Sequence, residues 1–386
     1  MQNIFAEYQT LVISPTQLAL CRTVNSVPQL LAVLKQLWQR QDLTDEQLLA
    51  QLHECNQQLL KVSGDLLAQQ WIPYSYHARS RNIFWCLPDG RATEPFHDQF
   101  ISRCRQRILL NQLLVPRTQL SLSETSPNEL GQTEFQPAGF VFHLSRCGST
   151  LVSGSFAEIE HASVLSESQL LTEFVLDPTL SEHEKQQCLP NLIRWQGEGG
   201  KESGKTSKPQ VLIKWNAWDI FSWQMIRKLY SQTPVVLLVR NPEEILASHH
   251  RNAGRHMSGD PSLKCVHPVF GDTNSSLLDF RIGVLGALQK AMLVTSTEDG
   301  VMVVDYRQLN AAGIQRISEH FGIALESAVL KRIQQRMQRH SKEPERRFSP
   351  DSLQKQQVFN PAEQNRIRQH LLPAFQELQA LSLANA

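Results

Sequence analysis

A chain of 386 residues with 41% apolar side chains is long enough for two domains and can bury a substantial core. Lys plus Arg number 38 against 37 Asp plus Glu, so a broad nucleic-acid footprint is not expected, although a local basic pocket fits that balance. Seven scattered cysteines (Cys21, Cys55, Cys86, Cys104, Cys147, Cys188 and Cys265) form no C-x-x-C pair. The odd count argues against a disulfide framework or a zinc knuckle and for a reducing cytoplasm. The N-terminus lacks the basic and apolar regions of a signal peptide, and no run is apolar enough to span a bilayer, so no membrane association is expected.

Residues 1–118 read as a mainly helical N-terminal region of unassigned role. Leu30, Leu31, Val33, Leu34 and Leu37 fall at helical spacing. A second helix is expected to start at Thr44, with Gln47 three residues on as the partner of a capping box. Its apolar face would comprise Leu48, Leu49, Leu52 and Leu59. Between Trp71 and Phe100 aromatic residues crowd together around a Pro88-Asp89-Gly90 turn. They are expected to pack the N-terminal region onto the main domain, a ligand wall being the alternative. Residues 101–118 read as helical again.

Residues 119–138, rich in Ser, Thr, Asn, Gln, Gly and Pro, read as the linker. Beyond it, in 139–386, short apolar runs alternate with helical patterns, the mark of an α/β domain with a parallel sheet. The runs are Gly139–Leu144, Ser163–Leu165, Gln210–Trp215, Pro234–Val239 and Gly300–Val304. The polar stretch 196–209 contains Gly204-Lys205-Thr206, but no apolar strand leads into it, so it reads as a mobile loop and not a nucleotide motif.

The first run ends in Ser145-Arg146-Cys147-Gly148-Ser149-Thr150, and a helical pattern follows. A strand, tight turn and helix start at this point would gather unpaired backbone N–H groups, two hydroxyls and a guanidinium, which favours an anion such as phosphate. An ordinary strand-to-helix turn remains the alternative, because the G-x-x-x-x-G-K-[ST] pattern is absent. In an open parallel sheet ligands lie beyond the carboxyl ends of the strands. There the later runs place Ser166-Glu167, then Lys214, then Arg240-Asn241-Pro242, then Asp305-Tyr306-Arg307. Cations follow the first, third and fourth strands, so a shared anion site is a better account than separate solvated loops.

From about 139 to 350 these residues resemble the sulfotransferase superfamily, closest to bacterial members whose loop reads S-R-C-G-S-T. The resemblance implies a three-layer α/β/α fold like that of the P-loop NTPases, with the helical N-terminal region as an appendage. It also implies the donor 3′-phosphoadenosine 5′-phosphosulfate and transfer of a sulfuryl group, with no metal. Ser145–Thr150 is similar to the 5′-phosphosulfate loop, with Arg146 at the position usually held by Lys. Arg240 followed eight residues later by Ser248 resembles the 3′-phosphate motif. The stretch from Val304 to Leu309 resembles a later strand of the family, and the region from His340 through Phe348 and Asp351 its C-terminal part. The residues implied to bind the donor are thus Ser145, Arg146, Cys147, Gly148, Ser149, Thr150, Arg240 and Ser248. Lys342, Arg346 and Arg347 are either further charge for the 3′-phosphate or a solvated basic tail. Two separate phosphate sites fit a bisphosphorylated nucleotide and not a contiguous triphosphate with Mg²⁺. Trp215 and Trp218 are core residues or adenine-stacking ones.

The base is the open point. In the cytosolic small-molecule members a His stands two residues after the Lys that ends the third strand, whereas here Lys214 is followed by Trp215 and Asn216, and Asn cannot hold a proton. Their R-K-G segment is not evident either. His143 lies inside the first strand, packed against a neighbour, and His249 and His250 fall beside Arg240. Glu167 resembles the glutamate base of the protein-tyrosine branch, with a helix cap as its other reading. Lys214 and Arg146 would then offset developing charge. The acceptor is expected to be a small molecule, peptide or glycan. A P-loop kinase or NTPase and a non-catalytic nucleotide-binding protein are the alternatives.

Overall fold

The computed structural model describes residues 4–120, 135–200, 209–272, 275–340, 343–347 and 358–384, with backbone only at 339–340 and 343–347. Residues 121–134 of the linker expected at 119–138, residues 201–208 of the loop expected at 196–209, and Lys342, Phe348 and Asp351 lie outside the described residues, as do the side chains of Arg346 and Arg347. Of the parts described, Gln119 ends a strand and residues 196–198 end a helix, not a linker or loop. The chain forms two compact units, Met1–Ser126 with Gln169–Pro209, and Pro127–Ser168 with Gln210–Ala386.

In the first unit the helices Phe5–Ile13, Pro15–Arg22, Val27–Leu37 and Asp45–Asn56 follow one another. The expected capping box is present: Gln47 N donates to Thr44 Oγ1 at 3.2 Å and Thr44 N to Gln47 Oε1 at 2.9 Å. Leu48 and Leu52 are buried, but Leu49 and Leu59 are exposed, because the buried stripe continues through Gln51 and Cys55 and the helix ends at Asn56. The aromatic stretch, where the helical pattern of the region breaks, is partly strand. It folds as strands β1 (Ile72–His77) and β2 (Asn82–Cys86), which an antiparallel β3 (Arg117–Gln119) completes. Residues 117–118, expected in a helix, are therefore strand.

The aromatic side chains pack within this unit. Tyr76 sets its ring edge-on to Phe174 at 5.5 Å and donates its hydroxyl proton to Asp177 Oδ2 at 2.6 Å. Trp85 meets Trp195 at 5.3 Å. Phe174 and Trp195 lie on the helices Gln169–Leu176 and Glu182–Glu198, so residues 169–209, read from sequence as part of the main domain, group with the N-terminal region instead. The cause is apolar burial: the short Gln169–Leu176 helix hides Leu170, Leu171, Phe174 and Val175 and has to find an apolar partner for them.

The second unit is an α/β fold around a five-stranded parallel sheet. The strands are β4 (Gly139–His143), β5 (Ala162–Ser166), β6 (Gln210–Lys214), β7 (Val235–Val239) and β8 (Val301–Asp305). Each expected run became a strand within one or two residues. The spatial order is β5-β6-β4-β7-β8. The chain leaves β4 toward β5 and β6 on one side and then crosses to β7 and β8 on the other, so the direction of winding reverses around β4. Crevices beyond the strand ends form at such reversals. β4 and β7 are buried along their whole length, which is why they read as unbroken apolar runs. Phe140, Phe142, Trp215, Trp223 and Tyr230 form an aromatic core, with the rings of Phe142 and Trp215 stacked at 6.1 Å. Trp215 and Trp218 are both buried. The helix Pro361–Ala384 seals the sheet beside β8 through Ile367, Leu371, Phe375 and Leu378. No helix among the described residues is long and apolar enough to cross a membrane.

Gly139, where β4 begins, has no room for a side chain, because a Cβ there would run into the Phe321 ring. Gly139→Ala should cost about 1–3 kcal/mol, the usual scale of overpacking. Urea unfolding checks this, and Phe321→Leu in the same chain should restore part of the loss.

Candidate active site

The residues following β4, β5, β6 and β7 meet at one edge of the sheet. The loop after β4 has an unusual backbone. Ser145 and Arg146 both take left-handed conformations (φ 64° and 52°), and Gly148 follows at φ 84° as the N-cap of the helix Ser149–Ala157. Left-handed residues in succession curl the chain so that its N–H groups converge, the geometry of an anion-binding nest, and the helix N-terminus adds its partial positive charge. A Cβ at Gly148 would meet the side chains of Leu309 and Tyr306, so the position needs glycine for space as well as for φ.

Several contacts hold the loop. The Cys147 thiol donates to Leu238 O at 3.2 Å, and burial pushes its pKa up to about 12. Cys147 therefore faces the core, and only its N–H is available to an anion. Arg146 Nη2 donates to Asn252 O at 2.6 Å, and burial lowers the guanidinium pKa from its ordinary value. Ser149 and Thr150 are buried in the first turn of the helix.

Glu167 is the centre of the site. Register pairs Ser166 with Lys214, and the next N–H, that of Glu167, donates to Lys214 O at 2.8 Å. Glu167 is itself left-handed (φ 51°), which turns its carboxylate toward the neighbouring strand ends. Lys214 Nζ lies 2.8 Å from Glu167 Oε1 and 3.4 Å from Thr150 Oγ1, and its side chain is 1% exposed. His143 Nε2 lies 3.3 Å from the same Oε1. Burial by itself would raise the Glu167 pKa, but the Lys214 charge and the His143 contact outweigh it and hold the carboxyl far below the usual range. The balance that the sequence left open thus falls toward a fully ionised carboxylate. His143 was expected to pack against a neighbour in the strand; instead it belongs to this network.

Arg240 follows β7, next to β4. Its Nη1 donates to Arg146 O at 3.0 Å, and its guanidinium lies 3.9 Å from the centre of the Tyr306 ring. Its Nε donates to Glu244 Oε2 at 2.8 Å, one turn along the helix Pro242–Arg251. Ser248 is half-buried a further turn along, on the Glu244 face. His249 is fully buried and accepts from Gly254 N at 3.2 Å, whereas His250 is exposed beside Phe359. Arg307 folds back onto Asp305, with 3.1 Å between Arg307 Nε and Asp305 Oδ1, and does not join the site.

Sequence reasoning gave no role to Tyr306, although its place just past β8 was a signal. It also missed Asp219 and His256. Asp219 Oδ2 accepts from Asn216 N at 2.8 Å, so Asn216, which stands where a histidine was sought, begins a one-turn cap. Burial, reinforced by the Glu167 charge, pushes the Asp219 carboxyl up to about 7. Burial brings His256 down to about 3, with its ring 5.6 Å from Trp218 and 5.2 Å from His249. Such buried polar positions carry no local sequence signal. Among the described residues no group of three His, Cys, Asp or Glu comes together to hold a metal ion.

The lowered Glu167 pKa makes stability depend on pH. A carboxyl whose folded pKa lies below its ordinary 4.5 contributes stability above pH 4.5, and the contribution is lost as the pH falls through the folded value. Glu167→Gln strands the buried Lys214 charge and should cost roughly 3 kcal/mol at pH 7. Urea titrations at pH 7, 5 and 4 should show the gap between parent and variant narrowing below pH 4.5. A constant gap would refute the coupling.

No protein-family model matches the chain, and no curated protein matches it. Two sulfotransferase domains are among the solved structures it is similar to. One is a sulfotransferase domain from the curacin biosynthetic pathway, 12% identical, with 62% of this chain and 98% of that one covered at a TM-score of 0.39. The other is a sulfotransferase domain from a Synechococcus olefin synthase, 16% identical, with 64% and 96% covered at a TM-score of 0.34.

Proposed function

We propose that the chain is a sulfotransferase that moves a sulfuryl group from 3′-phosphoadenosine 5′-phosphosulfate to a hydroxyl or amine of a small-molecule, peptide or glycan acceptor. One observation carries this reading: two anion-binding elements stand at adjacent strand ends and touch, through the bond from Arg240 to the Arg146 carbonyl. The left-handed loop with its helix start suits the 5′ group, and Arg240 with Ser248 suits the 3′-phosphate, where a guanidinium can fork onto two oxygens. A contiguous triphosphate would need one such element and Mg²⁺; two separate ones fit a bisphosphorylated nucleotide.

When bound, the donor supplies an activated sulfuryl group; the chain supplies the surroundings. The N–H groups from Arg146 to Thr150 hold the anion, with the Ser149 and Thr150 hydroxyls beside them. Lys214 and Arg146 offset charge that develops on the bridging oxygen and the sulfate. Glu167, ionised at neutral pH, accepts the proton that the acceptor loses.

A second reading, nucleotide binding without transfer, draws on the depressed Glu167 pKa, because a strongly stabilised carboxylate is a weak proton acceptor. Two measurements separate the readings. Calorimetry without Mg²⁺ should show binding of 3′-phosphoadenosine 5′-phosphate, and Arg240→Ala should weaken it by roughly 2–5 kcal/mol, the scale for losing one partner of a buried charged contact. Unchanged affinity in that variant would remove Arg240 from the site. Glu167→Gln should lower turnover by ~10²–10⁴ once an acceptor is found. Turnover within a few-fold of the parent would take the role of base from Glu167.

A further inference from the structure

His143 sits at the carboxyl end of β4, is 4% exposed, and touches two functional elements at once. On one side its Nδ1 accepts the backbone N–H of Ser145 at 3.0 Å. On the other its Nε2 lies 3.3 Å from Glu167 Oε1. An imidazole nitrogen that accepts carries no proton, so the neutral ring has its proton on Nε2, the nitrogen nearer the carboxylate. Ser145 is where the loop first turns left-handed, and Arg146 repeats the turn. For residues other than glycine, such a conformation costs of order 1–3 kcal/mol and persists only where surrounding contacts enforce it.

The far side of the loop is held by the same oxygen. Glu167 Oε1 also receives Lys214, whose Nζ reaches Thr150 Oγ1 in the first turn of the following helix. Ser145 and Thr150, the two ends of the anion loop, are thereby tied to one carboxylate oxygen, the first through His143 and the second through Lys214. We propose that His143 is a positioning residue: by accepting from Ser145 while its other ring nitrogen lies against Glu167, it sets the left-handed entry of the anion loop and couples the loop's shape to the carboxylate.

This goes beyond the transferase reading and leans on it only for the identity of the anion. It also accounts for a histidine in a strand that is otherwise Gly, Phe and Val, where a further apolar side chain would have filled the same space.

The two ring nitrogens can be tested separately, because the asparagine amide oxygen falls near the place of Nδ1 and the glutamine amide near that of Nε2. Hydrogen exchange, read by mass spectrometry on the peptide spanning Ser145–Thr150 in the nucleotide-free protein, reports the loop directly. Calorimetry with 3′-phosphoadenosine 5′-phosphate reports its competence. His143→Asn should keep parent-like exchange and affinity within about threefold. His143→Gln and His143→Leu should both exchange faster and bind about tenfold more weakly, the effect of one lost hydrogen bond. Circular dichroism confirms that each variant is folded. Equal exchange in the Asn, Gln and Leu variants would overturn the proposal and leave His143 as core filling. If the parent fails to bind the nucleotide, the donor assignment falls and the exchange result alone judges the brace.

Discussion

The arrangement depends on a buried ammonium. Lys214 ends a central strand with almost no exposed surface, and a charge in that position is tolerated only beside a counter-charge. Glu167 supplies it across a single strand spacing. The pairing follows from parallel register, in which Ser166 faces Lys214 and the next residue turns back toward it. The Lys214 cation and the neutral His143 ring thus converge on one carboxylate oxygen. The carboxylate, the lysine and the loop therefore behave as one electrostatic unit.

Around that unit the backbone is held away from its preferred shapes. Three of the five left-handed non-glycine residues among those described, Ser145, Arg146 and Glu167, stand at the same edge of the sheet, after β4 and β5 on either side of β6. The fold supports them with core contacts: the Cys147 thiol on the β7 backbone, Arg146 on the Asn252 carbonyl, and Leu309 with Tyr306 packed over Gly148. A rigid, buried parallel sheet is the platform that makes such strain affordable, and the convergent N–H groups are its product. Arg240 has a similar dual character. Bound to Glu244 and lying over Tyr306, it is already oriented by a carboxylate of its own helix and by an aromatic face.

The parts legible in the sequence were those with a local cause. The five sheet strands appeared as apolar runs because both faces of a parallel sheet are buried. The loop after β4 and Arg240 after β7 were legible because ligand sites gather at carboxyl ends of strands, so position along the chain implied position at one edge. The Thr44–Gln47 capping box needed only four consecutive residues. By contrast, β1 and β2 were obscured by dense aromatics whose partners, Phe174 and Trp195, lie about a hundred residues away. Residues 169–209 were assigned to the wrong unit for the same reason, since a short apolar helix does not name the surface that will cover it.

By itself, then, the sequence determined the strand positions, the small and basic character of the anion loop, and the cations and carboxylate at the strand ends, because each is a property of a few neighbouring residues. Only the tertiary structure decided the strand order β5-β6-β4-β7-β8, the ionisation of Glu167, and the partnership of His143 with both Ser145 and that carboxylate. Those are set by which strands lie side by side and by how far water is excluded between them. Burial would have raised the Glu167 pKa and the neighbouring charge lowers it; the distance of 2.8 Å to Lys214, which no spacing along the chain encodes, chose between the two.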